Sequence, residues 1–104
     1  MDESVIRELE KSAKRAGMKL SAAIRIGAKL RPQCRAFYAE DGATCALGAA
    51  FEAITHRLPK MDDPELDSVL DPLAPTAVLR EVVTRNDDGQ TREEIADWLE
   101  SIGY

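Results

Sequence analysis

Asn86, Asp87 and Asp88 stand in a row, followed by Gly89, directly ahead of a helical pattern that runs from residue 92 to 102. An acidic turn feeding a helix is how a calcium hand begins, with oxygen ligands at loop positions 1, 3 and 5, Gly at 6 and a bidentate Glu at 12. Setting Gly89 at position 6 places Thr84, Asn86 and Asp88 on the early ligand positions but Ile95 where the glutamate belongs. The register fails at its strongest ligand. The same residues account for a helix start instead. Thr91 with Glu94 forms the pattern of a capping box, Glu93 and Glu94 favour the positive end of the helix dipole, and residues 86–89 supply a turn that ends the preceding helix.

The soft metal ligands are Cys34, Cys45 and His56, each eleven residues from the next, a spacing that matches no compact zinc signature. No metal and no cofactor is expected. Cys45 opens a predicted helix, where backbone N–H groups lower a thiol pKa and could make a nucleophile; a buried, inert thiol beside the neighbouring alanines is the competing reading. His56 lies three turns along that helix and is poorly placed to serve as its base. Both cysteines fit a reducing compartment as thiols, with a single Cys34–Cys45 bridge as the alternative.

Charge is distributed unevenly. The chain carries a net charge of −5, yet residues 11–35 hold eight basic side chains and no acidic one, while residues 36–104 hold five basic against fifteen acidic. Lys19, Arg25, Lys29, Arg31 and Arg35 could meet phosphates, and residues 9–28 have the helix, glycine turn and helix outline of a helix-turn-helix. Ser12 stands where that motif wants an apolar residue, Gly27 weakens the reading helix, and a pI near 4.9 opposes a polyanion. Two halves of one fold attracting each other is the preferred reading of the asymmetry.

The elements that must position these residues are helical. With 104 residues, 44% hydrophobic and 32% charged, the chain fits one globular domain, residues 1–104. No apolar run reaches membrane-spanning length and no signal-peptide pattern opens it, so a cytoplasmic location with no membrane partner is expected. Periodicity predicts helices over 3–16, over 22–30 with Ser21 as cap and Ala23, Ile26 and Leu30 as apolar positions, and over 45–58 with Thr44 as cap. Gly27 inside a helix implies close packing. The 45–58 helix should be the centre, with Leu47, Phe51, Ile54 and Leu58 on one stripe and Ala46, Gly48, Ala49, Ala50 and Ala53 on a small-residue surface. A short hairpin is possible over 37–44 around Asp41 and Gly42. Residues 59–75, acidic with four prolines, read as a loop with one helical turn and as the region of motion or partner contact. Helices restart at Thr76 and at Arg92. The fold class is therefore all-α or mostly α, a compact bundle of four to five helices.

Three blocks resemble a family of small bacterial proteins of uncharacterised function: Ser-x-Ala-Ile-Arg-x-Gly at 21–27, Cys-Ala-Leu-Gly-Ala at 45–49, and Asn-Asp at 86–87 followed by Arg-Glu-x-Ile-Ala-Asp-Trp at 92–98. The resemblance covers roughly residues 20–58 and 84–102, and implies that residues 1–17 are an N-terminal extension helix. It implies no activity. The expected function is a protein-binding or regulatory module without catalysis. Nucleic-acid binding through Lys19, Arg25, Lys29, Arg31 and Arg35, and thiol chemistry at Cys45, are the alternatives.

Overall fold

The structure is a computed structural model that describes residues 18–35 and 38–104. The helix expected over 3–16, the Lys11–Arg15 cations and the first half of the helix-turn-helix outline lie outside the described residues. Five α-helices and one two-stranded hairpin make up the rest: α1 (Leu20–Ala28), β1 (Ala39–Glu40), β2 (Ala43–Thr44), α2 (Ala46–Thr55), α3 (Leu66–Leu70), α4 (Thr76–Asp87) and α5 (Arg92–Ser101), with a single 3-10 turn at Asp71–Leu73. The domain is mostly α, as its periodicity predicts.

α2 lies at the centre. Every residue from Ala46 to Ile54 is buried, including Leu47, Phe51 and Ile54, and α1, α3, α4 and β2 all pack on it, while α5 closes against α1 and α4. Its small side chains set the distance to α1. A Cβ on Gly27 would fall inside the backbone carbonyl of Ala49, and one on Gly48 inside the carbonyl of Tyr38, so both glycines are required by approaching backbone. α2 ends at Thr55 rather than at residue 58, because His56 takes a left-handed conformation and its N–H returns to Glu52 O.

The buried face of α1 differs from the predicted one. Leu20, Ala23, Ile24 and Gly27 face the core at helical spacing, whereas Ile26 and Leu30 are 45% and 58% exposed. Gly27 selects this face, since only there can α1 reach the backbone of α2. Ser21 does not cap α1 either. The helix starts at Leu20, and Ser21 is buried in its first turn with its N–H donating to Tyr104 O at 3.0 Å.

The hairpin forms as expected. Ala39 pairs with Thr44 and Glu40 with Ala43, and the two turn residues Asp41 and Gly42 both have positive φ, as a type I′ turn demands. Residues 59–75 are more ordered than a loop reading allows. The carboxylate of Asp63 is buried and accepts from Arg57 Nη1 at 2.6 Å, Arg57 Nη2 at 3.1 Å and the backbone N–H groups of Lys60 and Glu65 at 3.0 Å each, while Leu66, Leu70 and Ala74 join the core.

Candidate functional site

The start of α2 is the point where distant polar side chains converge. Asn86 lies inside α4, 1% exposed, and not in a turn after it. Its Oδ1 accepts from Ala46 N at 3.0 Å and from Gln33 Nε2 at 2.9 Å, and its Nδ2 donates to Cys34 O at 2.9 Å. Gln33 Nε2 donates also to Gln90 O at 2.8 Å. Asn86 thereby satisfies the first orphan donor of α2 and holds the 32–35 segment to α4. The residues read as a candidate calcium turn are thus a helix end whose first member points inward, followed by Gly89 at φ 99° and the Thr91–Glu94 capping box. Among the described residues, no group of three or more His, Cys, Asp or Glu side chains is placed to hold a metal ion.

Arg92, predicted only as the opening of the last helix, is 8% exposed. Its Nη1 donates to Thr44 Oγ1 at 3.0 Å, and its Nη2 to Arg31 O at 2.7 Å and Ala28 O at 3.4 Å. The guanidinium caps the carbonyl end of α1, where a cation complements the helix dipole, and ties α5 to β2.

The two thiols flank this cluster. Cys45 is the N-cap of α2, its sulfur accepting from Gly48 N at 3.4 Å, and is 7% exposed. The helix start does favour the thiolate, but burial outweighs it and pushes the thiol up to about 11. Burial therefore opposes the activated nucleophile considered for Cys45, whose side chain belongs to the core cluster. Cys34 is half-buried, and burial raises its thiol as well, with a nearby Arg92 acting in the opposite direction. His56 is exposed at the far end of α2.

The five candidate phosphate-binding cations do not form one patch. Arg25 donates to Asp97 at 2.5 Å and Glu100 at 3.0 Å, with Glu93 at 3.8 Å, so three carboxylates of α5 surround it. Arg31 Nε meets both oxygens of Glu52, at 2.8 and 3.0 Å, and the Glu52 side chain is only 8% exposed. Lys19 and Lys29 flank the two ends of α1 and Arg35 lies beside Gly89, all three exposed. At Arg25 and Arg31 the basic and acidic halves of the sequence are therefore partners within the fold.

Two adjoining clefts open between the hairpin, α2 and α4. One of about 110 Å³ is lined by Cys45, Val82 and Asn86. The other, of about 220 Å³, runs on between α3 and α4 past Leu66, Leu70 and Leu79. They share Tyr38, Leu47 and Val83, and Tyr38 and Val83 are 39% and 36% exposed. Asp67 and Asp71 stand on the edge of the longer cleft with Arg80 opposite in charge. Sequence periodicity could not show this groove, because its walls come from four separate elements. Comparison of the chain with protein-family models, curated proteins and solved structures finds no match.

Proposed function

We propose that the chain is a cytoplasmic, non-catalytic protein-binding module, and that its partner inserts an apolar side chain over Tyr38, Leu47 and Val83. The observation that carries this reading is the continuity of the two clefts across those three residues. Tyr38 and Val83 are exposed and Leu47 is buried beneath them, and exposed apolar side chains at the mouth of a groove are a usual anchor for a peptide or helix. The two aspartates on the edge, against one arginine, suit a partner with lysine or arginine beside its anchor. Support comes also from the thiol and the cations: burial favours the protonated form of Cys45, and Arg25 and Arg31 are engaged by carboxylates, which favours the groove over a thiol or phosphate role.

The test is affinity purification from the native host with the wild-type chain, Val83→Asp and Met61→Asp. Met61 is 82% exposed and lines neither cleft, so it controls for added surface charge. A stoichiometric protein retained by wild type and Met61→Asp but lost with Val83→Asp is the expected result. Equal retention by all three, or no retained protein, sinks the reading.

A further inference from the structure

We propose that Cys34 and Cys45 are a modification site at which a disulfide oxidant, such as glutathione disulfide, installs an intrachain disulfide across the start of α2. The inference is independent of the partner reading and rests on backbone register. Gln33 and Thr44 form a parallel bridge, in which Thr44 N donates to Pro32 O at 2.9 Å and Cys34 N to Thr44 O at 3.1 Å. Each cysteine directly follows a residue of this isolated bridge, which puts the two on neighbouring stretches of backbone. Paired strands lie about 4.8 Å apart, and disulfides join Cα atoms about 4.4–6.8 Å apart. Both side chains also pack into the same core cluster, and neither is in a disulfide.

Arg92 supplies the electrostatics. Its guanidinium lies near both sulfurs, and its hydrogen bonds among the described residues go to uncharged oxygens of Thr44, Ala28 and Arg31. A thiolate formed on Cys34 therefore meets this partly buried positive charge, against the opposing charge of Glu40, while Glu93 also lies near the guanidinium. The pair is also asymmetric. Cys34 is half-buried and Cys45 is buried, so Cys34, the more exposed residue, takes the entry position and Cys45 the resolving position.

The chemistry balances as an exchange. The Cys34 thiolate attacks one sulfur of the oxidant, whose S–S bond breaks and whose other sulfur departs as a thiolate. Cys45 then loses its proton and attacks the Cys34 sulfur of the mixed disulfide, expelling the second oxidant thiolate. Two protein thiols are oxidised, one oxidant disulfide is reduced to two thiols, and both protons end on the departing sulfurs.

The experiment treats the full-length, reduced chain with glutathione disulfide under native conditions, then alkylates, digests with trypsin and maps masses. Residues 30–35 and 36–57 fall in separate tryptic peptides, so an internal bridge appears as one linked species. The expected result is that linked species, loss of two hydrogen atoms from the intact chain, and an unchanged far-ultraviolet circular dichroism spectrum. In Cys45→Ser the reaction should stop at glutathione on Cys34, and in Cys34→Ser it should not begin. A wild-type chain that retains glutathione on Cys34, bridges to a second chain, keeps two alkylatable thiols, or forms the bond only on unfolding overturns the proposal.

Discussion

Asn86 in α4 caps a helix forty residues away: its Oδ1 accepts from Ala46 N at 3.0 Å, at the first residue of α2. The same side chain receives Gln33 and donates to Cys34 O, so all its buried polar atoms are spoken for. Asn86→Ala should leave Ala46 N and Cys34 O without these partners and cost about 2–4 kcal/mol, because unmet buried groups lose their full solvation. Asn86→Asp keeps the acceptor but loses the donor to Cys34 O and buries a charge. Urea denaturation of both variants checks this. A loss below about 0.5 kcal/mol for Asn86→Ala, the usual range for a surface turn, would restore the simpler reading of residues 86–89.

Gly27→Ala reverses the ordinary expectation for a helix interior. Alanine normally gains about 1 kcal/mol over glycine there. Here the new methyl would occupy the space of Ala49 backbone carbonyl, which cannot swing aside as a flexible side chain can. The variant should lose at least about 2 kcal/mol as α1 is forced away from α2. Thermal or urea unfolding decides it, and a stabilised Gly27→Ala would mean the two helices are not in backbone contact.

What was legible in the sequence is what depends on near neighbours. Thr91 and Glu94 are three residues apart and form their capping box; Asp41 and Gly42 are adjacent and make their turn; Leu47, Phe51 and Ile54 share one helical face and are buried. Asn86 and Arg92 were misread because their partners lie 40 to 64 residues distant, and nothing local separates a buried Asn from a turn Asn. Helical spacing groups Ile26 with Ala23 and Leu30, whereas Gly27 beside it is the better guide to the face α1 presents. One clue was available: Asn86 and Arg92 each stand first in a segment of the third block quoted from the sequence. The groove had no comparable signal, since Tyr38 precedes the hairpin and Leu47 and Val83 come from two different helices.

Arg25 and Arg31 should separate by stability, not by ligand. Arg31→Ala strands the nearly buried Glu52 carboxylate and should cost about 2 kcal/mol, less than a fully buried pair because Arg31 itself is 34% exposed. Arg25→Ala removes contacts to carboxylates that are 60% exposed or more, so its effect should be small and vanish with added salt. Neither cation is then available as a phosphate clamp, and fluorescence anisotropy with duplex and single-stranded DNA at low salt should show no saturable binding. Saturable binding that weakens in Lys19→Ala, Lys29→Ala and Arg35→Ala would reinstate a nucleic-acid interface.

Asp63 should govern the response to acid. Hydrogen bonds from Arg57 first, then from the N–H groups of Lys60 and Glu65, hold its carboxyl well below the usual carboxylate range. A carboxylate depressed by folding stabilises the fold above its unfolded pKa, and that contribution fades as pH falls through the interval below it. Wild type should therefore lose stability between about pH 4 and strongly acid solution, and Asp63→Asn, which lacks the contribution at every pH, should be less stable at neutrality and flatter in acid. Parallel acid slopes for the two proteins would show that Asp63 does not anchor residues 57–65.

Cys45 should govern the response to base, with the opposite sign. In the unfolded chain its thiol ionises near ~8.5, whereas burial keeps it protonated in the fold up to about 11. Between those values the unfolded chain releases a proton that the folded chain retains, so stability falls as pH rises, by at most about 1.4 kcal/mol per pH unit. Below that interval the thiol is protonated in both states and contributes no slope. Tyrosines and lysines titrate in the same region, so the measurement is the difference in urea midpoint between wild type and Cys45→Ala as pH increases, which should narrow across the interval. The alkylation rate of Cys45 in Cys34→Ser gives a second readout, with its midpoint expected near 11. A midpoint at the ordinary thiol value would place water at the start of α2, and Leu47 next to it could not then belong to a closed core.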